Sequence, residues 1–211
     1  MHKLFLGLFS FLLVIIGQNT LNAQVKNKYN YAAQQKLLPS ELGAIFMGMD
    51  INAFAKKIKI TAAVVDDQFE ELSLEVPFEK GNISKLSVKF MGFTSEQKEA
   101  LIKIEKVIEK GDYGNVEKEV KRISVPALVA AGKLYEISIF YKEGFDLKKY
   151  ALDKYGKPDE MYKKGDAYHF FDMQWIKVSA DNLSWLIRFH AETKVLQLAG
   201  RIPGSEWSLD N

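Results

Sequence analysis

The chain has no cysteine, only three histidines and only five prolines among its 211 residues. Without cysteine there is no disulfide framework, no thiolate nucleophile and no lipid-bearing thiol, so a hydrophobic core has to hold the fold unaided. Histidine is too scarce to supply a metal site readily. His2 belongs to an N-terminal apolar segment, and His169 and His190 sit on different predicted strands with no partner at a ligand spacing. The favoured reading is two ordinary strand histidines; the competing one is a two-histidine site with Asp172 as third ligand. No metal and no cofactor is expected. Phosphate-binding glycine loops are missing as well, since Gly43 and Gly48 have neither a preceding strand nor a following lysine. Gly204-Ser205-Glu206 lacks the flanks of a nucleophile elbow. Asp66-Asp67 pairs two carboxylates, but neighbouring strand residues point to opposite faces and would not converge on one substrate. No catalytic residue emerges. Charge of one sign is absent too: 29 basic residues stand against 27 acidic ones, without the clustered basic surface that nucleic acid requires.

Long apolar runs are limited to the first residues. Leu4 to Gly17 is almost wholly apolar, which is short of the roughly 20 residues that a membrane span needs. With the basic start His2-Lys3 and the small-residue end Leu21-Asn22-Ala23, it reads as a signal peptide over 1–23, cleaved after Ala23. Export to a periplasmic or extracellular location follows, with no stable membrane insertion afterwards. Residues 24–211 are long enough to bury one sizeable core and read as a single domain.

What the sequence does contain is a unit written twice between 69 and 156. Val76-Pro77, Lys85-Leu86 and Gly92-Phe93-Thr94 in the first copy answer to Val125-Pro126, Lys133-Leu134 and Gly144-Phe145-Asp146 in the second. Each copy reads as a hairpin followed by a capped helix. In the first, Leu72, Leu74, Val76 and Phe78 alternate with polar residues, and so do Leu86, Val88 and Phe90. A two-residue turn at Gly81-Asn82 would set Leu74 against Lys89. A three-residue turn, Glu79-Lys80-Gly81, instead pairs Leu74 with Leu86 and Leu72 with Val88, with Glu75 beside Lys85 and Glu71 beside Lys89, and is the expected register.

Thr94 to Lys110 reads as a helix: Thr94 and Gln97 fit a capping box, Leu101, Ile104, Val107 and Ile108 form a stripe, and Gly111 stops it. A strand over Glu119 to Val129 and its return over Leu134 to Tyr141 are expected to make the second hairpin. Asp146 then caps a helix that Gly156 and Pro158 end. Before the repeat, Gln24 to Gln35 reads as a loose arm, Ser40 as the cap of a short helix and Asp50 as the cap of another. After it, Tyr168 to Val178, Leu183 to His190 and Val195 to Ile202 form a β-meander over 168–202. The fold class is α+β: an antiparallel sheet built from repeated hairpin-helix units with helices packed on one face.

The tail is rich in aromatics, and Tyr168, Phe170, Phe171, Trp175, Trp185 and Trp207 are the candidate binding residues. Exposed rings of this kind anchor protein partners or stack on sugars, whereas alternating rings in strands fill cores. Phe170 and Phe171 cannot both face the same core. Two further stretches, Leu42-Gly43-Ala44-Ile45-Phe46-Met47-Gly48-Met49-Asp50 and Lys154-Tyr155-Gly156-Lys157-Pro158, resemble small bacterial envelope domains of the SmpA/OmlA lipoprotein type and the related β-lactamase inhibitory protein. The resemblance implies helices on an antiparallel sheet and a binding or scaffolding role without catalysis, although the lipid-bearing cysteine of that family is missing here. The expected function is thus an exported non-catalytic binding or scaffolding protein of the cell envelope, with another envelope protein or surface component as partner. The alternatives are a hydrolase of an envelope polymer, using carboxylates such as Asp66 or Asp172, and a small-ligand binding protein.

Overall fold

The computed structural model describes residues 28–58, 62–68, 70–123, 132–162 and 170–208. The signal peptide expected over 1–23, Val125-Pro126, Tyr168 and His169 lie outside these residues. The strands are β1 (Ala63–Asp66), β2 (Glu71–Lys80), β3 (Ile83–Met91), β4 (Ile102–Gly111), β5 (Gly114–Ile123), β6 (Lys133–Tyr141), β7 (Glu160–Met161), β8 (Met173–Val178), β9 (Ser184–His190) and β10 (Val195–Gly200). They form one ten-stranded sheet in the order β4-β5-β1-β2-β3-β6-β10-β9-β8-β7, with every pairing antiparallel. Around it lie α1 (Tyr31–Gln34), a 3-10 turn at Ser40–Leu42, α2 (Ile51–Ile58), α3 (Ser95–Leu101) and α4 (Leu147–Tyr155). The fold class is therefore α+β, dominated by the sheet.

Pairing lines up one apolar row across seven strands: Trp175, Ile187, Leu198, Ile137, Val88, Leu74 and Val64. All but Val64 are completely buried. On this face α2 sets Phe54 edge-on to Phe90, and α4 brings Tyr155 to Trp175 and Tyr150 to Tyr141. Both helices begin where their caps predict, with Asp50 accepting from Ala53 N at 2.8 Å and Asp146 from Lys149 N at 2.9 Å. Ser40 does not act as a cap; it opens the 3-10 turn, which Gly43 ends at φ 64°. The described part of the arm before it, 28–35, is not loose either. Gln34 is fully buried, and its side chain accepts from Met47 N, donates to Met47 O and reaches Asp181.

The first hairpin has the faces expected of it in a different register. The turn is Gly81-Asn82, closed by Lys80 and Ile83, and a bulge between Pro77 and Lys80 then restores apolar pairing. Leu74 faces Val88 and Leu72 faces Phe90, each two residues from the expected partner. An even shift keeps every side chain on its face, so alternation alone does not fix it. Glu75 and Lys85 still meet, at 2.7 Å, as diagonal neighbours.

Neither the full helix of the first copy nor the hairpin of the second forms as expected. The capping box is present, with Thr94 and Gln97 exchanging both bonds, but the helix ends at Leu101 and the chain continues as β4. Over 102–111 a helix would stack Glu105 on Glu109 and Lys106 on Lys110, like charges at four-residue spacing. Pairing with β5 replaces these by opposite charges: Lys106 meets Glu117 at 2.6 Å, Arg122 meets Glu105 at 2.9 Å and Lys118 meets Glu109 at 3.5 Å. β5 then pairs with β4 and β1, while β6 lies between β3 and β10, so these two strands are not a hairpin.

Candidate functional site

The opposite face of the sheet carries a polar row in register with the apolar one: Glu160, Gln174, Arg188, Gln197, Ser138, Ser87 and Glu75. Period-two alternation places it there, because from Gln174 to Glu75 each of these residues flanks a core residue, and pairing with Gln174 adds Glu160. At the meander end the row is built into a bonded cluster. The Arg188 guanidinium lies 4.5 Å from the ring centres of both Phe171 and Trp207. Its Nε donates to Gln174 Oε1 at 2.8 Å, and Gln174 Nε2 donates to Glu160 at 3.1 Å. Tyr162 donates its hydroxyl to the same Glu160 oxygen at 2.6 Å and packs edge-on against Phe171 at 5.0 Å. A guanidinium beside two rings is attracted by both π faces, and because it is more weakly hydrated than an ammonium it is the cation better suited to this partly buried place.

The chain end closes over the neighbouring strands. Trp207 donates its indole N–H to Glu136 Oε2 at 2.7 Å, and Lys89 reaches Glu136 at 3.6 Å and Glu206 at 3.3 Å. Glu136 is 3% exposed. Burial pushes its carboxyl above the ordinary range, against the opposing pull of Lys89. Burial likewise lowers the Arg188 guanidinium, with Glu136, Glu160 and Glu206 pulling it back up. Beyond this cluster the meander end exposes apolar side chains: Phe170 at 87%, Met161 and Val178 at just over 60%, and Ile176 at 45%.

The candidate residues divide sharply. Trp175 and Trp185 belong to the core, each 0% exposed, with their indole N–H groups bonded to Gly156 O and Ser179 Oγ. They offer no surface, which corrects the expectation placed on them: alternation at these positions serves the core. Phe170, Phe171 and Trp207 lie on or beside the polar face, and Tyr168 lies outside the described residues. Arg188, Glu136, Gln174 and Glu160, which organise the rings, were not singled out in the sequence. Their signal was a polar residue inside an aromatic strand, as in Ile187-Arg188-Phe189.

The carboxylates considered for hydrolysis do not converge. Asp66 and Asp67 adjoin β1, and Asp172 adjoins β8, six places away in the sheet, or about 29 Å at about 4.8 Å per strand. Asp67 pairs with Lys121, while Asp172 accepts from Ala191 N. His190 is lowered by burial, opposed by bonds to the Phe170 backbone and Gln197. Among the described residues there is no group of three or more potential metal ligands, and no helix is long and apolar enough to cross a membrane. No family model, curated protein or solved structure matches the chain.

Proposed function

We propose that the protein is an exported, non-catalytic binding or scaffolding protein of the cell envelope, and that it holds a protein partner at the meander end of the sheet. The observation that supports this reading is Phe170, a large aromatic with 87% of its surface in solvent, next to a stack whose geometry is fixed by four bonded polar residues. A rigid aromatic platform bordered by exposed Ile176 and Val178 on the same face of the sheet has the composition of a binding hot spot. The buried Glu136 and the Gln174–Glu160 bonds orient Trp207 and Arg188 before any partner arrives, which lowers the ordering cost of association.

A photo-crosslinking residue at position 170, introduced in the producing cell, tests the proposal. One envelope protein should be captured there, and not from the exposed position 79 in the β2–β3 hairpin, five places from β8 in the sheet. Its capture from a crosslinker at 176 should fall at least tenfold in a Phe171→Ala variant whose melting curve is unchanged. Capture of the same proteins from 170 and 79 alike would sink the idea.

A further inference from the structure

The hairpin of β4 and β5 extends away from the body: the pairing of β1 with β5 reaches it at Ala63 and Arg122, and among the described residues it is otherwise flanked by no strand. β4 is the terminal strand of the sheet, and Ile104 and Ile108 on it are 62% and 72% exposed. Gly111 faces Gly114 across the two-residue turn Asp112-Tyr113, so the odd-numbered residues of β4 exchange their backbone bonds with β5. The other side of β5 agrees, since Ile123 N donates away from β4 to Ala62 O. The even-numbered amides and carbonyls from Ile104 to Lys110 therefore point outward along a free edge, together with the Ile102 carbonyl, while the Ile102 amide donates to Lys98 O at the end of α3. A free edge of this length is a template for another strand.

We propose that its occupant is the β4 strand of a second copy of this chain, antiparallel, with the two-fold axis at Lys106. Self-complementarity selects both partner and register. A two-fold axis perpendicular to the sheet can pass only through a residue paired with itself. Centred on Lys106, the pairing spans the whole strand from Ile102 to Lys110. On one face Ile104 meets Ile108 of the second copy, twice by symmetry; on the other, Lys103 meets Glu109, also twice. Lys106 faces its own image, but each copy already neutralises it with Glu117 at 2.6 Å. Centring on Glu105 sets that carboxylate against itself, and centring on Val107 sets Glu105 against Glu109, which cross-strand pairing disfavours.

The same register sets Lys110 opposite Ile102, so the turn that follows in one arm lies beside the end of α3 in the other copy. Tyr113 is fully exposed. At that place lies a hollow of about 400 Å³, lined among others by Asp67, Glu99, Ile102, Ile104 and Lys121. Its isoleucines match the ring, and its charged groups lie within the lining that the phenol hydroxyl would meet. The dimer thus joins two ten-stranded sheets through their arms and leaves both meander ends free, so the surface around Phe170 is presented twice.

The test uses the absence of native cysteine. Across a hydrogen-bonded antiparallel pair the Cα atoms are about 5.5 Å apart, inside the disulfide range of about 4.4–6.8 Å. A Lys106→Cys variant should form a disulfide-linked dimer under mild oxidation at least tenfold faster than a Lys110→Cys variant. Light scattering should show the unmodified protein as a dimer, Ile108→Lys as a monomer with an unchanged melting curve, and Lys103→Glu or Glu109→Lys alone as weakened dimers. The double exchange, Lys103→Glu with Glu109→Lys, should restore the dimer. A monomer at every concentration reached overturns the proposal. So does a dimer in which Lys106→Cys and Lys110→Cys react alike, since its interface then lies elsewhere. Crosslinking from position 170 is independent of either result.

Discussion

Two hairpins of this sheet are held in opposite ways. In β9–β10, both faces are covered. Trp185, Ile187 and Leu196 sit in the core, while Leu186 and Ala199 on the other face are also buried, at 6% and 1% exposure. In β4–β5, each strand is longer, yet beyond its base both faces are largely in solvent. The backbone ladder is equally complete in both. Ladder bonds contribute about 0.5–1.5 kcal/mol each in net terms, and fixing each residue costs about 1–2 kcal/mol. A ladder without burial therefore comes out near zero, and a lone two-stranded hairpin is marginal. Hydrogen bonds give the two hairpins one shape, and burial gives only one of them stability.

The hardest test of this contrast removes a ring from the covered hairpin. Trp185→Ala should cost about 3–5 kcal/mol of unfolding free energy, as expected for a large aromatic lost from a packed core. Chemical denaturation should show the midpoint falling at an unchanged slope. A cost under about 1 kcal/mol would mean that burial does not separate the two hairpins. Smaller is the effect on the polar face. Trp207→Ala removes a ring from Arg188 and the indole donor from Glu136, leaving a buried carboxylate short of a bond at a cost of about 1–3 kcal/mol. The loss should halve or better in Trp207→Ala with Glu136→Leu, because the double variant has no orphaned acceptor.

How much of this was legible beforehand depends on how local each signal is. The caps at Asp50, Thr94 and Asp146 were legible because a side chain bonds an amide three residues on. The alternation of Trp185, Ile187 and Phe189 was legible because β9 carries it whole. The arm was not. Leu101, Ile104 and Val107 satisfy a helical period, Ile102 and Ile104 satisfy a strand period, and Gly111 suits either a helix stop or a hairpin turn. The deciding interactions, Lys106 with Glu117 and Glu105 with Arg122, exist only after the chain folds back. The apparent repeat misled for a related reason: similar local sequences were given different neighbours by the sheet order. The site was half legible, since ring positions could be read while the arginine that gathers Phe171 and Trp207 depends on pairing across β8, β9 and β10.

Glu136 gives a pH test of the covered side. Its carboxyl is raised by burial, so the folded state holds that proton to higher pH than the unfolded chain does. Its contribution therefore favours folding below the ordinary value of 4.5 and is lost as pH rises through the folded value. Glu136→Gln keeps an acceptor for Trp207 and stays neutral, and Lys89 retains Glu206 at 3.3 Å. The variant should be the more stable at pH 7, with the gap closing as the pH falls through the raised folded value and closed below 4.5. A gap that persists at low pH would point to packing, with charge burial playing no part.

The smallest effect should come from the arm itself. Ile104→Thr with Ile108→Thr, compared in dilute solution, should move the unfolding free energy by less than about 0.5 kcal/mol, the range of surface changes that touch nothing buried. Hydrogen exchange supplies the complementary reading. Amides of β5 that bond to β4 should exchange at least a hundredfold faster than those of β9–β10, because opening the arm exposes almost no apolar surface. The measurement is sharpest as a dilution series. Arm amides that slow as concentration rises, while β9–β10 amides do not change, would show burial being added to the bare ladder by a second chain. Arm amides as slow as the meander at every dilution would mean that a ladder in water suffices, and the contrast between the two hairpins would fall.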